Sequence, residues 1–233
     1  MLRNYNNEIL KYNNKTIIPE EEKIKIINNY NDYTKNKKNY YNGNIYGIIN
    51  CFDNKFEIVK TDYASLIYSP KSKCYELSSI FVGIYFKTLD NKIIIVKNNH
   101  DSLSLFGGMA NREDFENDIF KHEKCIVREL KEEANIDLYD KNMVKDFKPV
   151  YLKLPEKNEK VYLTGIIYEG FLNQTFEDFK DYFYNNINKT DKEVSDILDI
   201  TKEKIKYVKT YDKKEPYIVE LLEKITKNLS WKR

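Results

Sequence analysis

Short, strongly apolar runs punctuate a polar chain, and their periodicity outlines the elements. From Ser79, SIFVGIYFKTLDNKIIIVKNN reads as a strand, a turn at Asp90-Asn91 and a second apolar strand over Ile93 to Val96. Near-continuous apolar runs of this kind belong to strands covered on both faces. Downstream, Phe147 to Leu154 and the alternating Lys160 to Phe171 read as strands, and Asp178 to Tyr184 as a short helix. Glu193 to Ile200 and Ile205 to Val208 are further short elements. Tyr217, Val219, Leu221, Leu222, Ile225 and Leu229 give a C-terminal helix one mostly apolar side that should dock on a sheet. Strands and helices alternate irregularly, which predicts an α/β fold: a mixed-sheet α/β/α sandwich.

The first 78 residues pattern differently. Residues 1 to about 40 form a polar, mostly helical lead, with Pro19 followed by Glu20, Glu21 and Glu22 as a start signal and Ile24, Ile27 and Tyr30 as a narrow stripe. Asn44 to Lys60 predicts two strands around a turn at Asp53-Asn54, and Tyr63 to Tyr68 a third short strand ended by Ser69-Pro70. Such a leader has too little apolar surface for a sizeable core. The expected organisation is a 1–78 α+β extension packed on a 79–233 domain.

Phe106 to Ile136, FGGMANREDFENDIFKHEKCIVRELKEEANI, is the stretch that carries chemistry. Paired glycines after an apolar strand allow a tight turn, and a carbonyl at Gly107 or Gly108 can approach a metal closely. A helix over Asp114 to Asn135 follows. At about 100° per residue, Glu129, Glu132 and Glu133 share one face, and Val127, Leu130 and Ala134 another. Three carboxylates on one stripe repel one another unless a cation lies against them, and Mg²⁺ or Mn²⁺, which take oxygen ligands, answer that need. The alternative is an exposed acidic face dissolved in water.

Composition narrows the partners. The 39 basic and 37 acidic residues give a net charge of +2, so no whole-protein field announces nucleic acid or a membrane. Lys35, Lys37 and Lys38, followed by Tyr40 and Tyr41, form a small basic-aromatic patch open to two readings, an RNA contact or a solvated helix end. Cys51, Cys74 and Cys125 with His100 and His122 make no zinc pattern, and reduced thiols are expected. With no apolar run near the length of a membrane span and no N-terminal apolar segment, the chain is expected to be soluble and not secreted by the usual signal.

A strand, a Gly-Gly loop and a helix bearing R-E-L-K-E-E resemble the Nudix hydrolases, whose box is G-x5-E-x7-R-E-U-x-E-E-x-G-U. RELKEE matches at every specified position, with Leu130 as the aliphatic residue U. CIVRELKEEANID, and KVYLTGIIYEGFLNQTFEDF after it, are similar to the poxvirus-type Nudix mRNA-decapping enzymes. The resemblance covers about residues 79 to 229 and leaves the first 78 without support. Counting from Gly107, Glu113 takes the first box glutamate, but fourteen residues and not seven then precede Arg128. Two readings of the added seven stay open: a helix longer by about two turns, which would take Glu113 or Asp114 out of reach and make Glu116 or Glu123 a substitute, or a reshaped substrate cleft. Asn135 stands at the box glycine and tolerates the left-handed conformation of a helix end. The long helical insertion of poxvirus decapping members between second strand and box is absent. Any contact it makes with RNA or cap must come here from residues 1–78 or be missing.

The resemblance implies hydrolysis of a diphosphate linked to another moiety, with Mg²⁺ or Mn²⁺ held by Glu129, Glu132, Glu133 and the carbonyl near Gly107. It implies that Arg128 pins the glutamates and that Glu193, in DKEVSDILDI, is a general base; Glu159 and Glu169 are weaker candidates. A surface ion pair for Arg128 and a capping or loop acid for Glu193 are the structural alternatives. The leading reading is decapping: cleavage of the pyrophosphate bridge of capped mRNA to release m7GDP, in the cytoplasm of an infected host cell if the viral resemblance holds. A second keeps the chemistry and changes the substrate to ADP-ribose, a dinucleoside polyphosphate or a nucleoside triphosphate, favoured by the short pre-box loop and the absence of net basic charge. A third is a binding module with a decayed site, motivated by the displaced first glutamate and opposed by the intact RELKEE.

Overall fold

The computed structural model describes residues 1–13, 18–35, 42–52, 55–156, 159, 161–186, 193–201, 204–215 and 217–228. In chain order the strands are β1 (Leu2–Asn4), β2 (Ile9–Tyr12), β3 (Asn44–Phe52), β4 (Lys55–Asp62), β5 (Leu77–Lys87), β6 (Ile93–Asn98), β7 (Leu103–Ser104), β8 (Phe106–Met109), β9 (Phe115–Glu116), β10 (Ile119–Phe120), β11 (Val144–Lys153), β12 (Leu163–Leu172) and β13 (Val194–Ile200). The helices are α1 (Glu20–Thr34), α2 (Tyr63–Tyr68), α3 (His122–Ala134), α4 (Phe176–Asn186), α5 (Ile205–Thr210) and α6 (Ile218–Asn228).

β5 is the hub of a single mixed sheet. One edge pairs in parallel with β12 from Ser79 to Lys87. The other edge is shared in succession by β3 at Leu77 to Ser79, β8 at Phe81 to Ile84 and β6 at Phe86 and Lys87, all antiparallel. From there the sheet runs outward through β11 to β1 on one side and through β3, β4 and β2 to the β9–β10 hairpin on the other. Residues of the 1–78 leader and of the 79–233 part therefore share one sheet.

The side chains of β5 alternate between two cores, which is why the strand is apolar almost throughout. Ile80, Val82, Ile84 and Phe86 face Cys125, Ile126, Leu130 and Ala134 of α3 and Phe179 and Phe183 of α4. Phe81 and Tyr85 face Ile218, Leu221, Leu222 and Ile225 of α6 and Val208 of α5. Helices thus cover both faces of a mixed sheet, as the apolar pattern predicts. A smaller cluster joins Ile26 of α1, Ala64 and Leu66 of α2 and Ile49 and Val59 of β3 and β4. Among the described residues no helix is long and apolar enough to cross a membrane.

Three expectations are corrected. Tyr63 to Tyr68 is the helix α2: Asp62 caps it by accepting from the Ser65 N–H at 2.8 Å, and Asn42 Oδ1 accepts from Ala64 N–H at 2.8 Å. The leader holds two strands, β1 and β2, beside its helix. Most consequentially, the chemistry-bearing helix begins at His122, not Asp114. Asn111 and Asp114 form a reciprocal capping box, but it serves a single 3₁₀ turn over Arg112–Asp114. The chain then leaves as the β9–β10 hairpin, turning on Asn117 and Asp118 at φ 49° and 60°. It returns where Lys121 N–H donates to the Asp114 carbonyl at 2.8 Å. The added residues form a projecting hairpin, paired through Ile119 to Lys11 of β2, and do not lengthen the helix. The turn at Asp53-Asn54, the patch residues Lys37, Lys38, Tyr40 and Tyr41, and Leu229 lie outside the described residues.

Candidate active site

α3 lies against β8, with its apolar side buried in the core. This orientation sends Glu129 and Glu133, one turn apart, inward toward the glycines of β8, and both are buried. Glu132, on the same acidic stripe, points outward, with 57% of its side chain exposed.

The glycines are wall and cradle at once. Gly107 has φ 129°, and a Cβ there would fall 2.1 Å from the Val82 carbonyl oxygen, so any side chain is strained. Its N–H donates to Glu133 Oε2 at 2.8 Å. A Cβ on Gly108 would stand 2.4 Å from the Glu129 carboxylate, which occupies the space a side chain would fill. This pair sits in a strand and not in a tight turn. Gly107 contributes its N–H to Glu133, and Gly108 lines the cavity.

That cavity, about 430 Å³, is lined by Gly108 to Asn111, by Arg128, Glu129, Glu132 and Glu133, by Glu193 just before β13, and by Asn44 to Tyr46 of β3. Burial pushes the Glu129 carboxyl up to about 7, with Arg128 opposing and the charges of Glu132 and Glu193 adding. Burial pushes Glu133 up to about 8, with the Gly107 N–H opposing and Glu129, Glu193 and Glu132 adding. Four carboxylates therefore share one cavity whose charge they make costly, and Arg128 is the cation among its lining residues.

Arg128 is already committed. Its guanidinium ion-pairs Glu129 at 2.8 Å and Glu132 at 3.1 Å, donates to the Met109 carbonyl at 3.2 Å, and reaches Asp114 at 2.9 Å. Asp114 is fully buried. Glu113, 60% exposed, comes no nearer to Arg128 than 3.5 Å and does not line the cavity. Spacing pointed to Glu113; because the hairpin is looped out, Asp114 is the acid that reaches the helix, and its signal was the Asn111-x-x-Asp114 capping pattern. The substitutes do not reach the cavity either: Glu116 pairs with Lys124 at 3.8 Å and Glu123 accepts from the Tyr139 hydroxyl at 2.8 Å. Glu159 is tied to buried Lys153, and Glu169 to Lys87 and the Tyr85 hydroxyl.

The donor chemistry of Glu129, Glu132, Glu133 and Glu193 suits a hard divalent cation, and burial makes the ionised forms of Glu129 and Glu133 costly. With Glu129 and Glu132 turned to Arg128, no group of three or more His, Cys, Asp or Glu among the described residues is arranged to hold a metal ion. Asn135 closes α3 at φ 54°, ψ 28°, the left-handed conformation expected there.

No family model and no curated protein matches the sequence. Solved structures of Nudix proteins are similar in fold. The NUDIX domain of Shewanella oneidensis NrtR, solved with ADP-ribose, is 14% identical, over 66% of this chain and 89% of its own, at a TM-score of 0.46. A NUDIX-family hydrolase from Clostridium perfringens is 14% identical over 63% and 94%, at 0.41. The MutT protein of Methanosarcina mazei Go1 is 14% identical over 64% and 94%, at 0.40. At identities and TM-scores this low, the functional reading rests on the side chains of this chain.

Proposed function

We propose that the protein is a divalent-metal-dependent Nudix-type hydrolase that cleaves a pyrophosphate bridge in a nucleotide, and that its substrate is capped RNA. The observation that carries the chemistry is the pair of buried carboxylates, Glu129 and Glu133, fitted to Gly108 and the Gly107 N–H in a cavity shared with Glu193. Arg128 offsets the charge of Glu129, but ionising the second buried acid beside it is costly unless a further cation comes with the ligand. A site that had decayed would have no reason to keep that arrangement.

Glu129, Glu132 and Glu133 are the residues that would hold Mg²⁺ or Mn²⁺. When bound, such an ion neutralises phosphate oxygens and makes a water more acidic. Arg128 fixes the directions of Glu129 and Glu132 while itself anchored by Asp114. Glu193 is assigned the proton of the attacking water, supported by its place among the cavity residues. The resemblance of residues 125–137 and 160–179 to poxvirus-type decapping enzymes, read from those motifs alone, favours capped RNA; the short loop before the box and the lack of net basic charge favour a small nucleotide, the second reading.

The test is a parallel assay with Mn²⁺ on cap-labelled RNA and on ADP-ribose, the ligand of the Shewanella domain, beside a Glu132→Gln, Glu133→Gln double variant. Release of m7GDP by the wild type alone is the expected result. Cleavage of ADP-ribose but not of RNA moves the substrate to small nucleotides, and equal rates for wild type and variant on both remove the hydrolase assignment.

A further inference from the structure

The catalytic cavity does not end at the glutamates. Its far wall is Asn44 to Tyr46 of β3, and Tyr46 also lines an adjoining cavity of about 540 Å³ with Tyr12, Lys60, Arg112 and Asp118. Three separate parts of the chain build this second cavity. Tyr46 and Lys60 are directly opposed across the antiparallel β3–β4 pair, and Tyr12 is brought alongside through its register with Ile58 of β4. The 3₁₀ turn and hairpin supply Arg112 and Asp118, and the hairpin is docked on β2.

The aromatic rings form one cluster. Tyr46 lies 4.8 Å from Phe115 and 6.0 Å from Tyr12, centroid to centroid, and the Arg112 guanidinium sits 5.6 Å from the Tyr12 ring and 5.9 Å from Phe115. Lys60 and Arg112 are both exposed toward solvent. The charge of the lining changes sign at Tyr46: four glutamates and one arginine on the catalytic side, a lysine and an arginine against one aspartate on the other.

A ligand that fills both cavities has a diphosphate at the glutamates, a flat group at Tyr46 and a further anion beyond it. ADP-ribose carries no phosphate outside its pyrophosphate. A polynucleotide joined to a 5′–5′ bridge has a phosphodiester after each nucleoside and a base to stack at each step. A positively charged methylated base is disfavoured beside Arg112, so the flat group is a neutral base of the RNA body. We propose that Tyr12, Tyr46, Lys60 and Arg112 form a binding site for the first nucleotides of a single-stranded RNA, the base on the Tyr46 face and the phosphodiester on Lys60 and Arg112. This inference rests on the hydrolase reading for the direction in which the substrate runs.

The experiment measures binding apart from hydrolysis. Fluorescence anisotropy of a labelled, uncapped single-stranded RNA oligonucleotide is followed in a salt series, without divalent metal, on the Glu132→Gln, Glu133→Gln protein. On that background Lys60→Gln with Arg112→Gln is expected to weaken binding and lower the salt slope by about one. Tyr46→Ala is expected to weaken binding roughly tenfold, alike for different sequences, while Arg112→Lys keeps the slope. Circular dichroism checks that each variant is folded. No RNA binding, or unchanged affinity and slope in the glutamine variant, overturns the site. RNA bound as expected by a wild type that releases no m7GDP defeats the hydrolase reading and not this site; m7GDP release with an unchanged slope does the reverse.

Discussion

Arg128 Nη2 donates to Asp114 Oδ2 at 2.9 Å across fourteen positions of sequence, and Nε of the same guanidinium reaches Asp114 Oδ1 at 3.3 Å. The contact exists because the β9–β10 hairpin leaves and rejoins the chain at one point, Lys121 N–H to the Asp114 carbonyl. Asp114→Ala deletes the buried acceptor of two guanidinium N–H bonds and of the Asn111 N–H, while Arg128 keeps its pairs with Glu129 and Glu132, at a cost of about 2 kcal/mol. Asp114→Ala is therefore expected to lower the thermal midpoint by roughly 4–8 °C, at about 2–4 °C per kcal/mol for a chain of this size. Glu113→Gln, at an exposed residue, should stay within about 0.5 kcal/mol of wild type. Calorimetry on both variants decides it; equal loss in both would mean that Glu113 holds the helix.

Metal binding should stabilise the protein, and more so as pH rises. Burial first, then neighbouring charge, raises the Glu129 and Glu133 carboxyls to about 7 and about 8. For acids raised on folding, the native state holds more protons than the unfolded chain, so the metal-free protein loses stability as pH climbs from about 4.5 through 8. A divalent cation needs the ionised forms, so its effect grows over the same interval. The expected outcome is a midpoint raised by Mg²⁺ more at pH 8 than at pH 6 and reversed by a chelator. Glu133→Gln should raise the midpoint of the metal-free protein at pH 8 and remove most of the Mg²⁺ response. No Mg²⁺ response at either pH would rule out this cavity as a metal site.

Which parts were legible in the sequence follows from how many positions each element offers. β5 and β6 are long and apolar on both faces, so their period needs no tertiary information. β9 and β10, at two residues each, are too short to show one, and the acids Glu113, Asp114 and Glu116 imitate a helix start. The signal that marked the hairpin was Asn117-Asp118 between Phe115 and Ile119, two residues that tolerate positive φ. Tyr63 to Tyr68 is ambiguous in period, and the Asp62 cap settles it. β1 and β2 are strands because β11 and β4 pair with them, which no local pattern contains. At the site, helical spacing grouped Glu129, Glu132 and Glu133 but did not divide the buried pair from exposed Glu132; that depends on where β8 lies.

His122 opens α3 between two phenols. Its Nε2 is 2.8 Å from the Tyr5 hydroxyl, and Nδ1 meets the hydroxyl of Tyr168. A neutral imidazole has one donor and one acceptor to offer such a pair. Burial lowers its pKa to about 4, with Glu123 opposing and Lys121 adding. For a histidine lowered on folding, the unfolded chain binds the proton first. The stability of the neutral form is therefore complete above about 6.5 and is lost as pH falls toward 4, up to about 3 kcal/mol. Glu129 and Glu133 shift stability the opposite way over the same range, so the readout is a difference: denaturant unfolding at pH 7 and pH 5 should show wild type losing stability relative to His122→Gln as pH falls. A His122 resonance titrating near 6.5 in the folded protein would refute it.

Gly107→Ala and Gly108→Ala should fail in different ways although the residues are adjacent. At Gly107 the new methyl meets backbone, the Val82 carbonyl oxygen at 2.1 Å, in a conformation that side chains rarely adopt. Nothing there yields cheaply, so the fold is destabilised by at least about 1–3 kcal/mol. At Gly108 the methyl meets the Glu129 carboxylate, the far end of a side chain, which can swing away. Gly108→Ala is expected to keep most of its stability while losing the Mg²⁺-induced rise in midpoint and at least tenfold in any Mn²⁺-dependent hydrolysis. If Gly108→Ala binds and responds to metal as wild type does, Glu129 is not held by this cradle for a cation, and the glycine serves packing alone.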